Sequence, residues 1–133
     1  MKTYFLAAGI ALFAMAEMAG AQGLTAVKPI EGYSCMRLRM THEQAVDRSF
    51  TVPVFSQPAR SNPPAGIASA IVLVREPPKP QGGFREILFP DGRTMWIETK
   101  WLMPFPTSQF PKATCTPSWM SNGRPGFTSS TNQ

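Results

Sequence analysis

The chain has 133 residues, 43% of them hydrophobic and 16% charged, with 13 Lys and Arg against 8 Asp and Glu, a net charge of +5. That length is enough for one domain and no more. The positive balance suits an anionic partner, such as a cell-surface polymer or anionic lipid head groups, although solubility alone also accounts for it.

At the N-terminus, Lys2 precedes an apolar stretch from Tyr4 to Ala16 and then the small residues Ala19, Gly20 and Ala21, the pattern of a secretory signal peptide. The stretch is interrupted by Glu17 and falls short of the roughly 20 apolar residues that a bilayer span needs. Cleavage after Ala21 is therefore expected rather than an uncleaved anchor, and the mature product is placed in the periplasm or outside the cell. No Cys follows the cleavage point, which argues against a lipoprotein. Removing 21 of 133 residues leaves 112 and takes away one cation, Lys2, and one anion, Glu17, so the net charge of +5 persists. An exported chain rarely meets DNA, so nucleic acid is not an expected partner. No membrane span is expected after cleavage.

Cys35 and Cys115 are the two cysteines. In an oxidising compartment they should form a single disulfide. Closing so long a loop contributes about 4 to 5 kcal/mol in the chain-entropy picture, less any native-state strain. A reactive thiol would need a His or helix-terminus partner, and the sequence shows none.

Residues 22–48 read as an N-terminal lead-in. Gln22 to Gly32 has few apolar residues and no period, so it is expected to be flexible, and Tyr33 to Met40 to form a first strand. Thr41, His42, Glu43 and Gln44 match a capping box, in which the Thr hydroxyl and the Gln amide satisfy early helical N–H groups. A short helical turn through Asp47 follows from it.

Four β segments then carry the fold. In Ser49 to Phe55, Phe50, Val52 and Val54 share one face, and Pro53 marks an edge position because it has no N–H for a ladder. Ser56 to Gly66, with Pro58, Pro63 and Pro64, is a stiff loop. Ile67 to Val74 is apolar on both faces, as in a strand covered from two sides. Glu76 to Gly82 holds three prolines and projects, and Gly83 to Phe89 resumes a strand with Phe84 and Ile87 on opposite faces. Phe89-Pro90-Asp91-Gly92-Arg93-Thr94 is a tight Asp-Gly hairpin, and Met95 to Glu98 returns from it. Trp101 and Leu102 sit where a short turn could close the sheet. Beyond Pro104 the composition shifts to Pro, Ser, Thr, Gly and Asn, so residues 105–133 are expected to be an irregular tail tethered through Cys115. Asn122-Gly123 marks one turn within it.

The run from Gly83 to Ile97, followed by Trp101-Leu102, resembles the end of a bacterial SH3-like domain: a Gly-aromatic strand, a tight Asp-Gly turn, a Trp-apolar strand and a closing turn. Val52-Pro53-Val54-Phe55-Ser56-Gln57-Pro58 is similar to the family's early strand and Pro-containing loop, and Gly66 to Val74 to its middle strand. The family usually has Gly immediately before the hairpin Trp, where this chain has Met95. The resemblance spans residues 49–104 and implies a mainly β fold: a small SH3-like β-barrel with a short helical lead-in.

Catalytic groupings are not visible. His42 is the single histidine and stands in a polar segment, whereas zinc needs about three or four ligands. No Ser lies in a nucleophile-elbow context, the carboxylates are scattered singly, and Gly82-Gly83 lacks the Lys and helix of a phosphate loop. The chain is therefore read as non-catalytic, with no cofactor and no metal.

An aromatic and basic set stands out instead: Phe84, Trp96, Trp101 and Phe105, with Arg85, Arg93 and Lys100. Aromatic rings stack on sugar faces or proline rings and Arg pairs with carboxylates, so a groove lined by this set would suit cell-wall glycopeptide (peptidoglycan), a Pro-rich peptide or another envelope protein. Phe84 and Trp96 fit the core better than a contact surface, whereas Trp101 and Arg93 suit either role. The tail segment Pro104-Phe105-Pro106, with Pro111 and Pro117, could also occupy such a groove in its own chain. The leading expectation is an exported SH3-like module that binds cell-wall material or an envelope protein. The alternative is a structural or assembly component of an envelope complex with no ligand of its own.

Overall fold

The computed structural model describes residues 23–79, 81–106 and 109–130; the signal peptide expected over residues 1–21, with its cleavage after Ala21, lies outside the described residues. The elements are β1 (Ala26–Pro29), β2 (Tyr33–Leu38), α1 (His42–Val46), β3 (Pro53–Val54), β4 (Gly66–Ile67), β5 (Ile71–Arg75), β6 (Phe84–Leu88), β7 (Thr94–Glu98), a 3-10 turn (Thr99–Trp101), β8 (Leu102–Pro104), β9 (Thr114–Met120) and β10 (Pro125–Ser130). Among the described residues no helix is long and apolar enough to cross a membrane.

The mainly β character is as expected. All pairings are antiparallel and fall into a five-stranded sheet, β7-β6-β5-β2-β8, a three-stranded sheet, β1-β9-β10, and the two-residue ladder β3-β4. The capping box forms: the Gln44 N–H donates to the Thr41 hydroxyl and the Thr41 N–H to the Gln44 side chain, with Asp47 closing α1. The Asp-Gly hairpin forms as well. Gly92 donates to the Phe89 carbonyl, the Phe89 N–H donates to Arg93 O, and Gly92 holds a φ of 91° that a residue with a Cβ adopts only under strain.

No closed barrel is found among the described residues. Beyond β7 the sheet continues only through an isolated bridge, in which Phe55 and Trp96 exchange backbone hydrogen bonds of 2.8 and 2.7 Å. The strands expected over Ser49 to Phe55 and Ile67 to Val74 shrink to β3, β4 and the separate β5. Pro53, Pro58, Pro63 and Pro64 explain the shortening, because each removes an N–H from any longer ladder.

Two apolar clusters occupy opposite faces of the five-stranded sheet. The first holds Leu38, Val52, Val54, Val72, Val74, Ile87, Met95, Ile97 and Leu102. Met95, standing where the SH3-like pattern has Gly, is only 1% exposed, so its side chain fills this core. The second cluster holds Ile30, Cys35, Leu73 and Leu88, with Phe105, Cys115 and Trp119 packed against it. β5 thus sends Val72 and Val74 into one core and Leu73 into the other, which is why its sequence is apolar on both faces.

The second core requires two corrections to the sequence reading. The expected flexible lead-in contains β1, and the expected irregular tail contains the hairpin β9–β10. Both result from pairing across the length of the chain: the Ile30 N–H donates to Pro117 O, and the Ser121 N–H to Thr25 O, each at 2.8 Å. The three-stranded sheet so formed lies against the five-stranded one, and the Cys35–Cys115 disulfide joins them.

Candidate functional site

The 3-10 turn positions the most unusual side chain of the fold. Its start is tied down where the Thr99 N–H donates to Gly83 O at 2.8 Å, and its end where the Arg39 N–H donates to Trp101 O at 2.6 Å. Held at both ends, Trp101 packs against the first core and meets Phe50 edge-on, with centroids 5.7 Å apart. Its indole N–H is buried yet has no acceptor among the described residues, an uncommon state for a Trp whose polar tip usually finds a partner.

Cations surround this indole. Lys100 Nζ lies 5.1 Å from the Trp101 ring centroid, within range of a cation–π attraction. Trp101 and Lys100 together form a ridge between two clefts. One is lined by Pro53, Phe55, Arg60, Asn62 and Glu98, the other by Arg39, Met40, Thr41 and Gln44. The Glu98 carboxylate, 14% exposed, is held between Arg60 Nη2 at 2.8 Å and Lys100 Nζ at 3.5 Å. Among the described residues the Arg39 side chain bonds only Leu102 O, at 3.4 Å, which leaves further guanidinium donors for a ligand. Three cations against one carboxylate give the ridge a positive balance. Such a site can stack a flat apolar face on Trp101 and pair carboxylates with the flanking guanidinium and ammonium groups.

Of the set singled out in the sequence, only Trp101 and Lys100 come together here. Phe84 is buried and packs edge-on to Phe55 at 5.9 Å. Trp96 is half-buried on β7 beside Glu86, which is bonded to Arg75 at 2.8 Å; that bond raises the pKa of Arg75. Arg85 donates to Arg75 O and lies 3.4 Å from Glu76 Oε1. Arg93 is bonded to Asp91 within its own hairpin turn. Phe105 packs on the second core, and the Pro104 carbonyl accepts from Arg37 Nε.

Arg39, Arg60 and Glu98 were not legible as site residues. They lie far apart in sequence, and no local motif marks them. His42 is exposed on α1, and among the described residues no group of three His, Cys, Asp or Glu side chains comes together as a metal site would require. Comparison with family models, curated proteins and solved structures finds no match for this chain.

Proposed function

We propose that this chain is an exported, non-catalytic SH3-like binding module that takes cell-wall glycopeptide on the ridge formed by Trp101 and Lys100. The observation that carries the reading is the placement of Trp101 between two clefts with three cations around it. A sugar ring stacks on the indole, and the carboxylates of a glycopeptide pair with Arg39, Lys100 and Arg60. The disulfide supports an oxidising compartment, and the short antiparallel strands with their Asp-Gly hairpin support an SH3-like architecture.

Sedimentation with purified peptidoglycan tests the reading. The mature chain should co-sediment, Trp101→Ala and Lys100→Glu should reduce the bound fraction about tenfold (~1.4 kcal/mol), and Arg93→Ala, in the hairpin turn, should leave it unchanged. A wild-type chain that stays in the supernatant would sink it.

A further inference from the structure

A second surface, independent of the reading at Trp101, lies at the outer edge of the three-stranded sheet. β10 is a border strand of that sheet, with β9 on one side only. The Met120 N–H donates to Arg124 O, which makes these two a hydrogen-bonded pair. Antiparallel alternation from that pair turns Gly126, Thr128 and Ser130 toward β9, and leaves the N–H groups of Phe127 and Ser129 and the carbonyls of Pro125, Phe127 and Ser129 facing outward.

The other borders are blunted. β1 carries Lys28, Pro29 and a register shift, β8 is three residues long and ends in Pro104, and β7 is bridged by Phe55. β10 has six residues, no charge and no bulge, and its one proline, Pro125, stands at the first position, so the outward N–H groups of Phe127 and Ser129 stay available. Natural proteins protect a free edge with charge, proline, bulges or short length, so an edge left open over most of its length points to a partner strand.

Beside this edge is an apolar cavity of about 230 Å³. Ile71 and Leu73 of β5, Leu88 of β6, Phe89 in the hairpin and Pro125 and Phe127 of β10 shape it, and no residue of β9 contributes. It therefore opens on the free side of β10, where a fourth strand of the sheet would run. A cavity of about 150 Å³ with such a lining already holds a benzene ring. Arg124, next to Pro125, is exposed and forms no ion pair among the described residues, in a chain of net charge +5.

We propose that the β10 edge and its cavity take an extended segment of a partner protein, apolar at alternate positions and acidic between them. Main-chain bonds to Phe127 and Ser129 hold the segment, one apolar side chain enters the cavity, and a carboxylate meets Arg124. A second copy of this chain fits less well, because β10 offers only Phe127 as a large apolar group and that ring already faces its own sandwich.

The test uses the mature chain and a capped peptide of alternating glutamate and valine, about seven residues long to match a strand. Fluorescence anisotropy should show saturable binding. Ser129→Pro removes an outward donor without touching β9, and Ser69→Phe, at an exposed position on the cavity wall, fills the space from its rim. Each should weaken binding about tenfold or more, and a lysine–valine peptide should bind weaker by a similar factor. Absence of binding to the wild type, equal affinity for both variants, or equal affinity for the lysine peptide would overturn the proposal. So would a dimer in sedimentation equilibrium that Ser129→Pro dissolves, which would assign the edge to a second copy. Loss of peptidoglycan binding in Trp101→Ala with peptide binding intact would separate the two surfaces.

Discussion

Cys35 on β2 is bonded to Cys115 on β9, with Cα atoms 6.0 Å apart and a sequence separation of 80. The bond stands inside the second core, where Leu73, Leu88 and Trp119 pack around it. It is thus both a loop closure and the junction of two sheets. The Cys35→Ser, Cys115→Ser variant should lose about 4 to 5 kcal/mol of stability, read as a fall in the urea midpoint. Because the junction is local, Trp119 fluorescence should become accessible to quenchers at denaturant concentrations that leave the first core folded. Coincident loss of both cores would show that the sheets depend on each other more than this arrangement implies.

The two hairpin turns share one device. In Phe89–Arg93 and in Met120–Arg124 the first residue accepts from a Gly N–H and donates to the carbonyl of an Arg, while the Asp91 or Asn122 side chain accepts from that Arg N–H. Gly92 and Gly123 hold φ values of 91° and 79°. Replacing either with Ala places a Cβ in the left-handed region, at a cost of about 1–2 kcal/mol, and Asn should cost less because its side chain tolerates that region. Urea titrations of Gly92→Ala, Gly123→Ala and the two Asn variants check the order. Equal stability of the Ala and Asn forms would contradict it.

Elements built from neighbouring residues are legible in the sequence, and those built by pairing across the chain are not. Local chemistry was legible: the Thr41–Gln44 capping box, the Asp91-Gly92 hairpin and the two-faced apolar run of β5 each rest on neighbours in the chain. The β9–β10 hairpin was missed because Pro111, Pro117 and a Ser/Thr-rich composition resemble a tail. Yet Cys115, Pro117 and Trp119 alternate with Thr116 and Ser118, and Asn122-Gly123 follows. Pro117 is tolerated in a central strand because it gives its carbonyl to Ile30 and has no N–H to leave unpaired beside a shifted β1 register. At the candidate site Trp101 and Lys100 were visible as a pair, but Arg39, Arg60 and Glu98 reach them only through the tertiary fold.

Acid should weaken the turns in a definite direction. The Arg93 N–H, donating to Asp91, and then the Arg93 side chain hold the Asp91 carboxyl below its ordinary value of 3.8. Hydrogen bonds from the Ser49 side chain and backbone do the same for Asp47. A carboxyl whose folded value is lowered adds stability above its unfolded value and loses it as pH falls through the folded one. Asp91→Asn keeps an acceptor for the Arg93 N–H but cannot titrate. Below the ordinary Asp value, its unfolding midpoint should therefore fall less steeply with pH than that of the wild type. Parallel pH profiles for the two proteins would remove Asp91 from the acid response.

Met95 offers the sharpest test of the first core. Its neighbours in that core, Ile87 and Ile97, are 1% and 0% exposed, and Met95 itself is 1% exposed. An SH3-like hairpin with Gly at this position would close by backbone approach; here the side chain fills the space instead. Truncating it leaves a void that the short, proline-limited β3 and β4 cannot collapse into. Met95→Ala should therefore cost about 2–5 kcal/mol, a large share of what so small a domain possesses, while Met95→Leu, nearly equal in volume, should cost less than about 1.5 kcal/mol. Because the second core lies across the sheet, Trp119 fluorescence in Met95→Leu should match the wild type. Urea unfolding of the three proteins decides it: a Met95→Ala variant as stable as Met95→Leu would mean that the hairpin can close over a smaller residue after all.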